Sequence, residues 1–294
     1  MFYLLFGKFL VDQNLLSSSV LNDIKQEIVS SRVRLGIIAE AEGLLTKAQA
    51  DRIHHMQIAN DMYFGDIAIK EGYLTEGQVS HLLSLQGNSY LKFVQALTDR
   101  NLFTLEEITV HLNNYQKLHG YTDSQLVDLK SGDLDRLLDV LIQMNGPFYK
   151  ELMSLTIRNL VRFIDNDIMI KSCKQVNEYS FTNMAVQELT GDHTLLLGFS
   201  GEESALLKIA TTYAEEDFDC LDADSYDAIC EFMNCINGLF ASKVSEEDIS
   251  VDMLPPTFYR NQTIKVRDLA VIQLSLAGHM FDVVISIDTP IDFK

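Results

Sequence analysis

The sequence predicts two domains of different fold classes: an all-α domain built from helical-hairpin repeats, then an α/β sandwich with a largely antiparallel sheet. Residues 1–120 repeat every 29 positions and show helical patterns throughout, whereas residues from 148 onward alternate between helix and strand patterns. A chain of 294 residues, 47% of them hydrophobic, is long enough to bury two cores. We therefore place the repeat domain at 1–120, a helical linker at 121–147 and the α/β domain at 148–294.

The repeat consists of four units in which residues of the same kind recur at the same place. One apolar position is occupied by Phe6, Leu35, Phe64 and Phe93, a Gly or Asn position by Asn14, Gly43, Gly72 and Asn101, and a Ser or Thr position by Ser17, Thr46, Thr75 and Thr104. Gly and Asn favour the left-handed residue that ends a helix, and Ser or Thr caps the start of the next helix. Each unit is thus predicted to be a short helix followed by a longer one, with every hairpin packed on its neighbour.

The linker shows the same period more weakly. Leu126 and Asp133 are in phase with Leu97 and Thr104, which indicates a decayed fifth unit. Asp133 is a suitable cap for a helix that carries the leucines of residues 134–142.

The two middle units share a further motif. In the second unit it comprises Arg34, Leu35, Gly36, Gly43, Leu44, Leu45 and Gln57; in the third it comprises Tyr63, Phe64, Gly65, Gly72, Tyr73, Leu74 and Gln86. This motif resembles the tandem motif of the MshE N-terminal family, found on type II secretion and pilus ATPases, which binds cyclic di-GMP. Tyr63 replaces the arginine of the family motif, and Ala50 and His54 replace leucines of the first copy. Apart from Tyr63, the resemblance implies that these residues bind the nucleotide.

Three interpretations of this motif stay open at the level of sequence. The glycines and apolar pairs could serve only to shape the hairpins, since glycine allows both left-handed turns and close packing. They could instead form a cyclic di-GMP site, in which Arg34 contacts phosphate and the apolar pairs cover the guanine faces. The third interpretation is a site for another ligand or for a protein partner.

The second domain is predicted to contain helices and strands in a defined order. The pattern indicates a helix at 148–164, strands at 167–172, 184–189 and 193–200, helices at 202–214 and 225–243, and strands at 249–253, 264–275 and 280–288. Helices that alternate in this way with hairpin-connected strands predict helices packed on an antiparallel sheet.

The helix at 225–243 has two chemically different faces. At about 100° per residue, one face carries the apolar residues Ile229, Phe232, Met233, Ile236 and Phe240. The opposite face carries Asp227, Glu231, Asn234 and Gly238, spaced four, three and four residues apart. A solvent-exposed surface of a structural helix would also have this pattern, but it would equally present a carboxylate and a carboxamide to a partner.

The polar face resembles the active-site signature of the CheX/CheC family of chemotaxis phosphatases. That signature is an Asp or Ser, a Glu four residues later, an Asn three residues further and a Pro twenty-odd residues beyond. Asp227, Glu231 and Asn234 match it, while Pro255 and Pro256 come one or two residues early. The order of helices and strands also resembles the CheX fold over about residues 148–290.

The resemblance implies a phosphatase for the aspartyl phosphate of a CheY-like response regulator. Glu231 and Asn234 would be catalytic: Asn234 would orient the attacking water, and Glu231 would pair with the regulator's lysine. Asp227 and Gly238 would support the helix face. Mg²⁺ would be bound by the regulator, so that this chain needs no metal or cofactor of its own. The first helix of the second domain carries Glu151 and Ser154 but no asparagine at the corresponding position, which implies one site per chain. CheX proteins dimerise through a sheet edge, so the resemblance also implies a possible homodimer.

Composition limits the other possible functions. The net charge of −19 argues against nucleic acid as a partner, because the chain repels phosphate backbones. No segment has the roughly 18 consecutive apolar residues of a membrane span. The four cysteines show no metal-binding spacing and Cys230 and Cys235 do not suit a disulfide, so we interpret all four as reduced residues of a cytoplasmic protein. The alternative function is a non-catalytic adaptor that links cyclic di-GMP or a protein partner to motility or secretion machinery.

Overall fold

The computed structural model describes residues 1–60, 62–142, 146–276, 278–289 and 292–293. The chain divides into two compact units, Met1–Leu137 and Leu138–Lys294, and this division falls within the predicted linker. The first unit is helical, and the second packs helices on an antiparallel sheet. The predicted fold classes are therefore confirmed.

The N-terminal helices alternate between the two members of each hairpin. Their bounds are α1 (Phe2–Asp12), α2 (Ser18–Ile28), α3 (Leu35–Ala41), α4 (Lys47–Asn60), α5 (Phe64–Lys70), α6 (Glu76–Ser84), α7 (Ser89–Asp99), α8 (Leu105–His119), α9 (Asp123–Lys130) and α10 (Leu134–Leu141).

The repeat is visible in the backbone of all four hairpins. The Gly or Asn position is left-handed each time, with φ of 57° at Asn14, 68° at Gly43, 73° at Gly72 and 53° at Asn101. The next helix then begins at a capped Ser or Thr. Thr75 and Thr104 form full capping boxes with the residues three positions later, and Thr46 exchanges the same pair of hydrogen bonds with Gln49. The sequence prediction for the form of each unit is confirmed.

The packing of the hairpins differs from a simple stack. Helix α1 of the first hairpin packs on α7 and α8 of the fourth, where the ring of Phe6 lies 6.4 Å from Phe93 and 6.0 Å from Tyr115. The second and third hairpins pack on each other through α3, α5 and α6. The prediction that each hairpin packs simply on its neighbour in sequence is thus wrong for the first and fourth. Aromatic residues are concentrated on α1, α7 and α8. Packing these three helices together buries their large apolar rings against one another.

The linker sequence forms two short helices. Asp133 caps α10 as predicted, because its Oδ1 accepts hydrogen bonds from the backbone amides of Asp135 at 2.9 Å and Arg136 at 3.2 Å. Helix α9 contains Leu126 and lies where the decayed fifth unit would have its short helix. It begins at a capping box between Thr122 and Gln125, the same signal that marks the repeat units.

The second unit consists of three helices and a six-stranded sheet. The elements are α11 (Pro147–Phe163), β1 (Met169–Gly191), β2 (Leu195–Gly201), α12 (Glu203–Ala214), α13 (Ala223–Ser245), β3 (Val251–Met253), β4 (Thr257–Leu276), β5 (His279–Ile287) and β6 (Asp292–Phe293). The strand order is β3-β1-β2-β5-β4-β6, and neighbouring strands are antiparallel. Strand β1 also pairs with β4, so that the sheet curls back on itself.

Strand β1 corrects one prediction. The segments 167–172 and 184–189 are parts of a single strand of 23 residues, not two strands. The polar residues between them remain extended because they pair along β4, from Cys173 opposite Ile272 to Asn183 opposite Arg260. This partner lies far away in sequence, so local patterning gave no sign that the strand continues.

The two faces of the curled sheet are covered in different ways. Helices α11, α12 and α13 pack against one face, where the ring of Phe199 lies 6.0 Å from Phe232. The other face contains a separate buried cluster that includes Met184, Leu196 and Val284 from neighbouring strands. Because successive strand residues point to opposite faces, Gln187 lies on the helix-covered face with Ala185 and Leu189. No helix in the described part of the chain has the length and apolar character needed to cross a membrane.

Candidate functional site

The candidate site lies on α13, which is fixed at its start and along its buried face. A capping box begins the helix: the Asp222 side chain accepts from the Ser225 amide at 3.0 Å, and the Ser225 hydroxyl oxygen accepts from the Asp222 backbone amide at 2.8 Å. The hydrogen bond from the Ser225 amide holds the pKa of Asp222 below its usual range. The five predicted apolar residues are all buried: Ile229, Phe232, Met233, Ile236 and Phe240. The orientation of α13 is thus set by its core contacts.

The opposite face of α13 is accessible, as its spacing predicts. Asp227, Glu231 and Asn234 are exposed, and Gly238 is half-buried. A Cβ atom at Gly238 would lie 3.9 Å from the Met253 side chain, so this glycine leaves space beside the end of β3. The structure therefore presents a carboxylate and a carboxamide one helical turn apart, on one exposed surface.

The carboxamide of Asn234 is held from below by the sheet. Gln187 on β1 is 1% exposed, and its Nε2 donates to Asn234 Oδ1 at 2.8 Å and to the Leu254 carbonyl at 3.0 Å. Gln187 Oε1 in turn accepts from Asn237 Nδ2 at 2.8 Å. Asn237 is fully buried.

The same hydrogen bonds locate the two prolines. Leu254 directly precedes Pro255, and the backbone amide of Leu254 donates to the Glu188 carbonyl at 2.9 Å. Since Leu254 and Asn234 share one Gln187 amide group, the loop that carries Pro255 and Pro256 lies beside Asn234. The early position of the prolines in the sequence therefore does not take them away from the site.

Tyr213 on α12 and the two cysteines of α13, Cys230 and Cys235, are ionisable side chains near Glu231. The hydroxyl of Tyr213 on α12 lies 3.2 Å from Cys235 Sγ. This hydrogen bond, partial burial and the nearby charge of Glu231 raise the pKa of Tyr213 to about 12. Burial, with a smaller contribution from the Asp227 charge, raises the pKa of Cys230 to about 11. At neutral pH the phenol and the Cys230 thiol are therefore protonated and neutral.

The residues of α11 that correspond to the signature, Glu151 and Ser154, are not free to contact a partner. The Glu151 carboxylate lies 2.5 Å from Lys243 Nζ, and Ser154 is buried. This region thus lacks both the amide and the exposure that Asn234 has, and one site per chain stays a prediction.

In the N-terminal unit, the motif residues of the second and third hairpins come together around two glycines. A Cβ at Gly36 would lie 3.4 Å from the Phe64 ring, and a Cβ at Gly65 would lie 2.7 Å from Val79 and 3.9 Å from Leu35. Gly36 and Gly65 thus permit close packing of α3, α5 and α6. Gly43 and Gly72 provide the left-handed helix ends.

The remaining motif residues have varied surroundings. Leu45 and Leu74 are buried, whereas Leu44, Gln57 and Tyr73 are half-buried. The exposed guanidinium of Arg34 forms an ion pair with Asp99, and Gln86 Nε2 donates to the Val33 carbonyl at 2.9 Å. Because packing and capping account for the glycines, cyclic di-GMP binding stays a prediction.

The residues that sequence reasoning missed are Gln187 and Tyr213. A signal for Gln187 was present, because it is the polar member of the otherwise apolar strand face of Ala185 and Leu189. Within the described residues, no group of three or more His, Cys, Asp or Glu side chains is arranged to hold a metal ion.

A comparison with protein-family models matches residues 184–275 to the family described as chemotaxis phosphatase CheX. This range includes Gln187, Glu231, Asn234 and both prolines. The predicted resemblance of the C-terminal domain to CheX is confirmed, while the predicted MshE-like identity of the repeat stays a prediction. No curated protein sequence matches the chain significantly.

Several solved structures are similar to the C-terminal half. A CheC-like superfamily protein from Shewanella sp. PV-4 has 17% identity and a TM-score of 0.43, with 49% of this chain and 99% of that chain covered. CheX from Desulfovibrio desulfuricans has 16% identity and a TM-score of 0.42, covering 48% and 99%. The CheX–CheY–BeF3–Mg²⁺ complex from Borrelia burgdorferi has 14% identity and a TM-score of 0.36, covering 49% and 99%.

Proposed function

We propose that the C-terminal unit hydrolyses the aspartyl phosphate of a CheY-like response regulator. The observation that carries this proposal is the exposed pair Glu231 and Asn234 on the rigid helix α13, within the residues that match the chemotaxis phosphatase family. The N-terminal unit is, in this proposal, a sensory or docking domain, with cyclic di-GMP as its predicted ligand.

The chemistry of an acyl phosphate explains why so small a site is sufficient. The aspartyl carboxylate is a good leaving group, so hydrolysis requires neither a covalent nucleophile on the phosphatase nor a strong general acid. What is required is a water molecule held in line with the phosphorus atom and its leaving oxygen. Holding this water in line is therefore all that the exposed face of α13 has to do.

The Asn234 side chain has the hydrogen-bonding capacity for that task. Its Oδ1 accepts one hydrogen bond from Gln187 and keeps a second lone pair, and its Nδ2 carries two donors. A carboxamide can therefore accept from a water molecule and donate to it or to a phosphoryl oxygen. Because it is uncharged, it approaches the phosphoryl group without electrostatic repulsion.

Glu231 is suited to recognition of the partner. Its exposed carboxylate lies one turn before Asn234, where it would pair with the active-site lysine of the regulator and so fix the register of the two proteins. The Mg²⁺ ion belongs to the regulator in this scheme. In this chain, Glu231 would bind the regulator and Asn234 would orient the attacking water, and neither is proposed to bind the metal.

The test is phosphate release from phosphorylated receiver domains in the presence of Mg²⁺. We expect the wild-type chain to accelerate release, and Asn234→Ala to lower kcat by about 100-fold, since a misplaced reacting group costs on this order. The matched control is Asn114→Ala, an exposed asparagine on α8, which should leave the rate unchanged. Equal rates for the wild type and Asn234→Ala would contradict the catalytic role.

A further inference from the structure

Gln187 is an unusual residue for the place it occupies. It is 1% exposed on the sheet face that packs against α13, where its neighbours along β1, Ala185 and Leu189, are fully buried and apolar. Burying a carboxamide is unfavourable unless its hydrogen bonds are made. Gln187 makes three, to Asn234, Leu254 and Asn237.

These three partners determine which way each amide points. The Leu254 carbonyl can only accept, so the side of Gln187 that faces it must be its NH2 group. That NH2 group also faces Asn234, so Asn234 must turn its Oδ1 toward the sheet. The Oε1 of Gln187 then faces Asn237, which donates to it. A backbone carbonyl thus sets the orientation of Asn234 through one intermediate side chain.

We propose that Gln187 is a positioning residue, which fixes the rotamer and the amide orientation of Asn234 for the water that attacks the phosphoryl group. This inference rests on the proposed phosphatase function and deepens it. Without Gln187, the exposed Asn234 side chain would be free to rotate about χ1 and χ2 and to exchange the positions of its oxygen and nitrogen. The phosphoryl group and the attacking water would then meet the Oδ1 acceptor in place of the outward-facing Nδ2 donors for part of the time.

The same hydrogen bonds bring the proline loop to the site. Since one NH2 group contacts both Asn234 and Leu254, loss of Gln187 would loosen the carboxamide and the residue before Pro255 together. A purely structural Gln187 would only tie β1 to α13. These two roles predict different kinetics, because positioning affects kcat whereas the surface that binds the regulator stays in place.

The experiment compares steady-state phosphate release by the wild type, Gln187→Met and Thr156→Val. Methionine keeps the length of glutamine but cannot hydrogen bond in this way. Thr156→Val is a control at another fully buried polar side chain, whose hydroxyl donates within α11 to the Leu152 carbonyl at 2.7 Å. We expect Gln187→Met to lower kcat by about 10- to 100-fold, by analogy with residues that orient metal ligands through hydrogen bonds, with KM for the phosphorylated receiver nearly unchanged. Thr156→Val should alter neither constant.

Several results would overturn the proposal. An unchanged kcat in a folded Gln187→Met chain would do so, as would a rise in KM with no fall in kcat. An inactive wild type would refute the proposed function itself and this role with it, which separates the two failures. If Gln187→Met does not fold, the wild type provides the test: the Gln187 side-chain amide protons should exchange with solvent far more slowly than those of the exposed Gln26. Equally fast exchange would refute the inference.

Discussion

At the scale of single residues, the site combines neutral polar groups with the Glu231 carboxylate. Asn234 offers an acceptor and two donors, while Glu231 offers only acceptors and a charge. Nearby, Tyr213 and Cys230 stay protonated at neutral pH because their pKa values are raised. In the proposed complex, additional negative charge here would oppose the approach of the carboxylates that hold Mg²⁺ on the receiver.

The Cys230 thiol provides a residue-scale prediction. Only the thiolate reacts with iodoacetamide, and a pKa of about 11 leaves about one thiol in a thousand ionised at pH 8. We expect its alkylation rate to rise about tenfold per pH unit from pH 8 to 10, followed by mass spectrometry of the peptide that contains it. A rate that levels off below pH 9 would contradict the assigned burial. Asp227→Asn, which removes the second cause of the shift, should lower the midpoint.

Single residues also show what a sequence can and cannot predict about this site. Asp227, Glu231 and Asn234 could be found because their spacing within one helix is local information. The Gln187–Asn234 contact could not, since the two residues are 47 positions apart and meet only when β1 packs on α13. The pairing of Tyr213 with Cys235 likewise requires the packing of α12 on α13.

At the scale of elements, the left-handed residues that end the short helices are open to a direct test. Gly43 has φ of 68°, whereas Gly77 lies in the first turn of α6, and an added Cβ would meet no atom within 4 Å at either position. Gly43→Ala should therefore lower the free energy of unfolding by about 1 kcal/mol through backbone strain. Gly77→Ala should raise it by up to about 1 kcal/mol, because alanine restricts the unfolded chain.

The measurement for this pair is urea unfolding of the full chain, followed by circular dichroism at 222 nm. The two substitutions add the same methyl group to similarly open surroundings, so a difference in sign isolates the effect of backbone conformation. Equal effects at both sites would contradict the left-handed helix end at Gly43.

The elements were predicted with unequal success, and the reason is the range of the interactions that form them. Helix caps, left-handed ends and amphipathic faces are local, and α11, α12 and α13 appear where the pattern placed them. The continuation of β1 depends on pairing with β4, and the contact of α1 with α7 depends on aromatic packing across the repeat. Neither partner could be identified from a window of neighbouring residues.

At the scale of the whole molecule, the two units have separate cores. Residues Met1–Leu137 and Leu138–Lys294 each form a compact unit with its own buried apolar residues. We expect the two fragments, expressed separately, to unfold cooperatively on heating, with a helical circular dichroism spectrum for the first and a mixed helix–sheet spectrum for the second. A fragment that shows no cooperative transition would contradict an independent core for that unit.

Because the chain has two units, the phosphatase activity and its regulation by a ligand of the repeat can be tested separately. The C-terminal residues needed for the proposed chemistry lie within one unit, so the phosphatase activity should be measurable in the presence or absence of any ligand of the repeat. If the repeat is a sensor, binding of cyclic di-GMP through Arg34 and the glycine motifs should change that activity, and the binding itself is measured by titration of the nucleotide. An Arg34→Ala chain that still binds the nucleotide would show that the predicted site is wrong.

The central claim is tested most directly by phosphate release from a panel of phosphorylated CheY-like receivers, with the wild type compared to the double variant Glu231→Ala/Asn234→Ala. We predict faster release with the wild type on at least one receiver, and no acceleration with the double variant. Absence of acceleration on every receiver, with a receiver still bound, would contradict the phosphatase and favour a non-catalytic adaptor.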